Sequence, residues 1–253
     1  MKITLIQTDL LWNDPAGNRA RFEQKIAKAG SADLIVLPEM FSTGFCTQPR
    51  LAAEPLGGET LPWMKRIAQK TDCALAGSVA VEENGNYFNR FYFVKPDGSV
   101  SQYDKRHLFT YGGEHKEFTA GDKRVIVEYK GWRILLQICY DLRFPVWSRN
   151  RNDYDLALYT ANWPTPRVDA WSALLRARAI ENLCYVAGIN RTGTDPNCSY
   201  CGKSALLDFK GQTLEDVEPG KEALLSAELD ADALRDFRKN FPALQDADRF
   251  SLE

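Results

Sequence analysis

Asp33-Leu34-Ile35-Val36-Leu37-Pro38-Glu39 is a short apolar run closed by a proline and a carboxylate, and its composition suits a strand covered on both faces. Upstream, Gly17–Gly30 scatters Ala20, Ile26 and Ala27 among charged residues, as an exposed helix does, and Lys2–Thr8 reads as a first strand. The three segments make one β–α–β unit ending at Pro38-Glu39, which places the chain in the α/β class with layered sheets. Downstream, Thr60–Thr71 carries Leu61, Met64, Ile67 and Ala68 at helical spacing and leads into a strand, Ala74–Val81. Asn84-Gly85-Asn86 reads as a hairpin turn into Tyr87–Val94, and Pro96-Asp97-Gly98 turns the chain back along Ser99–Tyr103. This meander predicts a mixed architecture rather than a simple doubly wound sheet.

The second half repeats the alternation. Val125–Tyr129 and Trp132–Cys139 pair around Lys130-Gly131, and Asp155–Thr160 is a further strand. The helix Val168–Leu183 is apolar on two faces, Trp171, Leu174 and Leu175 on one and Ala173, Ala177 and Ile180 on the other, which is more than packing on one sheet requires. Strands at Cys184–Ile189, Ser204–Phe209 and Ala223–Glu228 follow, and Asp230 suits the cap of a last helix, Ala231–Lys239. No repeat, linker or composition break divides the chain, so 1–253 reads as a single domain.

With 253 residues, 44% hydrophobic and 26% charged, the composition is that of an ordinary globular protein. The 32 Lys+Arg and 34 Asp+Glu leave a formal net charge of -2, so there is no electrostatic footprint for nucleic acid or an anionic membrane. No window approaches the ~18–20 apolar residues of a membrane span. Asp9, Asn13 and Asp14 interrupt the stretch where a signal peptide needs an apolar core, so a cytoplasmic location is expected.

The six cysteines are too few and too scattered for a disulfide scaffold. Cys198-Ser199-Tyr200-Cys201 is a lone C-x-x-C with no second pair and no following histidine, and reads as two incidental loop thiols rather than a zinc or dithiol site. Cys46, Cys73 and Cys184 read as packing residues. The first strand is followed by Gln7-Thr8-Asp9-Leu10-Leu11-Trp12 with no glycine-rich phosphate turn, which excludes a dinucleotide-binding fold.

Three reactive side chains fall at the C-terminal ends of strands: Glu39, Lys105 and Cys139. Strand ends fix a functional group while loops give access to it. A cysteine at a strand-to-helix turn, its thiolate stabilised by the following helix N-terminus, a lysine as nearby cation and a glutamate to shuttle protons suffice for acyl transfer. The two histidines, His107 and His115, leave a Cys–His pairing as the other way to activate the thiol.

Three segments, Leu34-Ile35-Val36-Leu37-Pro38-Glu39-Met40-Phe41, Tyr103-Asp104-Lys105-Arg106-His107-Leu108-Phe109 and Ile138-Cys139-Tyr140-Asp141-Leu142-Arg143-Phe144-Pro145, together resemble the signatures of the nitrilase superfamily of carbon–nitrogen hydrolases, in order and spacing. The helix from Trp171 to Asn182 also looks like the family's, so the resemblance runs nearly the whole length. It implies a four-layer α–β–β–α sandwich with mixed sheets. It implies Cys139 as nucleophile, Glu39 as general base and Lys105 as the cation of the oxyanion hole, with the Tyr140 N–H as second donor. A second glutamate is implied in the following loop, where Glu114 matches and Glu117 is the rival. No cofactor or metal is implied.

Further blocks, including Gly113-Glu114-His115, Ala161-Asn162-Trp163-Pro164 and Asn190-Arg191-Thr192-Gly193, look most like the omega-amidase branch, which implies hydrolysis of 2-oxoglutaramate and 2-oxosuccinamate. The far carboxylate of such a substrate needs a cation, for which Arg143 and Arg106 are the candidates, and Tyr140, Phe41 and Trp163 are expected to wall the pocket. Another small amide, a carbamoyl compound or a nitrile remains the alternative substrate, and a non-catalytic binding module the alternative function. The resemblance also implies a homodimer packed through Val168–Leu183 and Arg143–Asn150, and two adjacent glycines make Phe109–Glu117 a candidate lid.

Overall fold

A computed structural model of the chain describes residues 1–252. The first half runs β1 (Lys2–Gln7), α1 (Pro15–Ile26), β2 (Leu34–Val36), α2 (Pro49–Ala52), β3 (Glu54–Pro55), α3 (Thr60–Thr71), β4 (Ala74–Glu83), β5 (Asn86–Val94) and β6 (Val100–Asp104). The second half runs β7 (Ile126–Tyr129), β8 (Trp132–Ile138), α4 (Pro145–Ser148), β9 (Leu156–Ala161), α5 (Val168–Asn182) and β10 (Tyr185–Asn190). It ends with β11 (Thr192–Thr194), β12 (Ser199–Cys201), β13 (Ala205–Leu207), β14 (Thr213–Asp216), β15 (Ala223–Glu228) and α6 (Ala231–Asn240).

Local chemistry sets the helix ends. The Asp14 carboxylate accepts the Gly17 N–H at 2.9 Å and Pro15 takes the first helical turn, so α1 starts two residues earlier than its charge pattern predicts, at Pro15 instead of Gly17. It stops at Ile26 rather than Gly30, and α5 closes where Leu183 adopts a left-handed backbone, φ 45°. The short elements α2, β3, α4 and β14 and the β11–β12 hairpin carry too few residues to show any periodicity, and the sequence pattern does not predict them.

One sheet has the order β15-β1-β2-β4-β5-β6, with β3 also on β4, and the other β14-β13-β10-β9-β8-β7. Each has a parallel centre, β1–β2–β4 and β8–β9–β10, flanked by antiparallel strands. The sheets face each other across a core that includes Leu5, Val36, Phe91, Leu136, Leu158 and Ala187. A second cluster, with Phe22, Trp63, Met64 and Ile67, lies between the first sheet and helices α1 and α3, and a third, with Trp171, Leu175 and Ala179, between the second sheet and α5. The layers are therefore α–β–β–α. The second apolar face of α5 is left open in the single chain, with Ala173 and Ile180 exposed. Among the described residues no helix is long and apolar enough to cross a membrane.

Because β2 and β6 run the same way in one sheet, and β8 and β9 in the other, their C-terminal ends deliver the chain to one edge of the sandwich. The two sheets meet there directly: Asn162, just past β9, donates its backbone N–H to the Glu39 carboxylate, just past β2, at 2.8 Å.

Candidate active site

Each reactive side chain is held by the turn that ends its strand. After β2 the Leu37 N–H still reaches Ala76 O at 2.7 Å; the chain then turns at Met40, φ 41°, and leaves Glu39 buried at the sheet edge. Lys105 continues β6 by donating its N–H to Asn89 O at 3.0 Å, and its carbonyl accepts the Gly121 N–H at 2.9 Å. A Cβ on Gly121 would stand 2.2 Å from the Asp104 carbonyl oxygen, so only glycine lets the two segments approach.

Cys139 ends β8 with a left-handed backbone, φ 43°, an unusual conformation for a residue with a side chain. Asp141, two residues on and fully buried, helps fix it. Its Oδ2 accepts the Ile138 N–H at 2.9 Å and the Tyr103 hydroxyl at 2.8 Å, while its Oδ1 accepts the His107 N–H at 3.0 Å and sits 2.8 Å from His107 Nδ1. One carboxylate thus ties the cysteine turn to the segment that carries Lys105.

Around Lys105 the polar contacts close into a network. Its ammonium donates to Glu39 Oε1 at 2.9 Å and to Glu114 Oε1 and Oε2 at 3.1 and 2.9 Å, and all three side chains are buried. Asn89, midway along β5, donates from Nδ2 to Glu39 Oε1 at 2.9 Å and Glu114 Oε1 at 3.2 Å. The Phe109 N–H donates to Glu114 Oε2 at 2.6 Å. Such a buried cluster contributes geometry more than stability, and removing one partner costs about 3–5 kcal/mol because a charge is left uncompensated.

The protonation states follow from these surroundings. Burial alone would lower the Lys105 pKa, but Glu114 and Glu39 reverse this and hold it above the ordinary lysine range. Burial pushes the Glu114 pKa up against the pull of Lys105. Burial and then the Glu39 carboxylate push the Cys139 thiol well above its ordinary value, with Lys105 opposing. Burial and Glu39 thus favour the thiol form of Cys139 over the thiolate, and no long helix N-terminus opposes them, since the turn after Cys139 is only a short 3-10 segment, Cys139–Arg143. A thiol in this state becomes nucleophilic by handing its proton to an adjacent base as it attacks.

Above the cluster opens a cavity of 460 Å³. Lys105 and Cys139 line it together with Tyr140, Trp163, Arg143 and Arg167. The structure thus brings together seven of the eight expected side chains. The exception is Phe41: the turn at Met40 sends its ring into the core, 5.5 Å from Phe22 and 5.9 Å from Trp63, and it does not line the cavity. Arg106 also points elsewhere, over the Trp147 ring and onto Gly121 O, leaving Arg143 as the candidate cation of the two. Glu114 is buried on Lys105 while Glu117 is exposed. Neither histidine lines the cavity: His107 is stacked on Phe144 at 3.8 Å and His115 is exposed.

The sequence reading gave no role to Asn89, Asn162, Asp141 or Arg167. Only the pairing of β5 with β4 and β6 reveals that Asn89 faces the network, since a single asparagine in an apolar strand carries no motif. Cys198, assigned to an incidental loop, lines the cavity, and all six cysteines are free thiols. Among the described residues no group of three or more His, Cys, Asp or Glu side chains is arranged to hold a metal.

Residues 2–239 match the carbon-nitrogen hydrolase family, and the chain belongs to that family: it is an amide-hydrolysing enzyme. It is 50% identical to the omega-amidase YafV of Escherichia coli K12, over 100% of this chain and 98% of that one. It is 36% identical to the 2-oxoglutaramate amidase of Bacillus subtilis, over 96% of each chain. Among solved structures, XC1258 of Xanthomonas campestris, a CN-hydrolase superfamily protein described with an arsenic adduct in its active site, superposes with a TM-score of 0.97 at 44% identity, covering 100% of this chain and 99% of that one. The four-layer sandwich is the superfamily's fold.

Proposed function

We propose that the chain is an omega-amidase, cleaving the terminal amide of 2-oxoglutaramate or 2-oxosuccinamate to the 2-oxo diacid and ammonia, with Cys139 as nucleophile, Glu39 as general base and acid, and Lys105 in the oxyanion hole. The observation that carries this reading is the Glu39 carboxyl group fixed by Lys105, Asn89 and Asn162 where Lys105 and Cys139 line a cavity that Arg143 and Arg167 also line. The likeness to proteins named omega-amidase and 2-oxoglutaramate amidase supports the substrate class.

The Cys139 sulfur attacks the amide carbon as its proton passes to Glu39, and the Lys105 ammonium and Tyr140 N–H receive the negative oxygen. Glu39 returns the proton to the leaving nitrogen, ammonia departs and a thioester remains. Glu39 next takes a proton from water, whose oxygen attacks the thioester; collapse releases the acid, and the proton returns to sulfur. Losing one oxyanion donor typically costs about 10²–10³ in kcat. Glu114 keeps Lys105 oriented through both its oxygens, and Tyr140, Trp163 and Arg143 form the substrate walls. No step calls for a cofactor.

The surrounding readings are a single-domain enzyme, in line with a family match over 2–239, a cytoplasmic location, in line with six free thiols, and a homodimer. Ammonia release from a panel of 2-oxoglutaramate, 2-oxosuccinamate, butyramide, N-carbamoyl-β-alanine and an aliphatic nitrile tests the proposal. Turnover favouring the 2-oxo acid amides and lost in Cys139→Ala is expected; preference for another member discards the substrate, and full activity in the variant discards the nucleophile.

A further inference from the structure

The mouth of the cavity carries more positive charge than the protein itself answers. Lys105 is matched by two glutamates at the base. Among the described residues Asp195 is the one acid lining the cavity, and it is engaged: its Oδ1 accepts the N–H groups of Asn197 and Cys198, each at 2.8 Å, and its Oδ2 accepts the Tyr200 hydroxyl at 2.6 Å. Arg143 and Arg167 remain. Neither guanidinium has a carboxylate or carbonyl partner among the described residues; each lies on aromatic rings instead, Arg143 over Trp163 at 4.9 Å and Arg167 over Phe109 and Tyr111 at 5.4 and 5.8 Å.

A guanidinium held on ring faces keeps its planar fork of N–H donors free, and that fork matches a carboxylate in two parallel hydrogen bonds. Arg167 is the better placed of the two. It is half-buried where Arg143 is exposed, and a contact shielded from water is worth more. Its backbone is anchored as well, since its carbonyl accepts the Trp163 indole N–H at 2.7 Å. The ring beneath it belongs to Phe109, whose own N–H holds Glu114.

We infer that Arg167, with Arg143 as the outer arm, receives the carboxylate of the substrate's 2-oxo acid end and is the residue that makes the enzyme prefer such amides to uncharged ones. The inference rests on the omega-amidase reading and adds to it a specificity residue. Phe109 and Tyr111 line the same cavity, so a substrate anion on Arg167 is bound against the loop that carries them.

Steady-state kinetics of wild type, Arg167→Met and Arg167→Lys on 2-oxoglutaramate and on butyramide test it. Arg167→Met should raise KM for 2-oxoglutaramate about 10- to 100-fold, the loss expected for a charge-assisted hydrogen-bonded pair, and change kcat/KM for butyramide less than about threefold. Arg167→Lys should recover part of the affinity, because it restores the charge without the fork. Wild-type enzyme that favours 2-oxoglutaramate, with Arg167→Met impaired equally on both substrates or on neither, overturns the role of Arg167 alone. Wild-type enzyme that hydrolyses butyramide and ignores 2-oxoglutaramate overturns the substrate reading and this inference with it.

Discussion

Cys139 combines a strained backbone, φ 43°, with a thiol that its surroundings keep protonated, and both features trace to named neighbours. Asp141 holds the turn, whereas burial and Glu39 hold the proton. Glu39→Gln keeps the shape and removes the charge. Since the carboxylate raises the thiol pKa and Lys105 lowers it, the variant should ionise Cys139 at lower pH than wild type while kcat falls by about 10²–10⁴, the usual share of a general base. Ultraviolet thiolate titration, with Cys139→Ser as the blank, reads this directly; an unchanged or higher pKa would contradict the assignment. Glu39, Lys105 and Cys139 were legible in the sequence because each closes a strand with a recognisable motif. Phe41 was misread because the reversal at Met40, a non-glycine residue with positive φ, leaves no trace in the sequence. Arg167 carries no signal either, since a single arginine after Thr165-Pro166 looks like any helix entry.

At the scale of elements, α5 sits close on its sheet because β10 offers a glycine beneath it. A Cβ on Gly188 would stand 2.4 Å from Leu175 Cδ1 and 3.0 Å from the Trp171 ring. Gly188→Ala should therefore cost about 1–3 kcal/mol by overpacking. Leu175→Ala alone should cost about 2–5 kcal/mol by leaving a cavity. In the double variant the new methyl enters the space Leu175 vacates, so denaturant unfolding should give a loss smaller than the sum of the two singles; strict additivity would show that the two sites do not share this contact. The long strands and helices were readable from periodicity, which needs two or more turns or pleats to register. The two-residue β3 and four-residue α2 and α4 lie below that threshold, and they exist because neighbouring strands and loops hold them.

For the whole molecule, the four layers bury the inner faces of both sheets but leave apolar side chains on the outside of the second half, with Ile180 on α5 49% exposed and Val146 on α4 53% exposed. These lie on the two segments expected to pair across a two-fold. Sedimentation equilibrium should give twice the chain mass for wild type and a shift toward the single-chain mass for Ile180→Glu; a wild-type monomer would refute the homodimer. The strand pattern predicts layered, mixed α/β sheets but not the four-layer α–β–β–α order, which only the family resemblance implies and the core clusters bear out. The proposed thioester on Cys139 can be trapped by acid-quenching the enzyme during turnover of 2-oxoglutaramate and measuring its intact mass and peptide map. One 2-oxoglutaryl group on the peptide bearing Cys139, absent from Cys139→Ala, is the predicted result; continued ammonia release with no acyl group on that cysteine, or with the group elsewhere, would contradict the account.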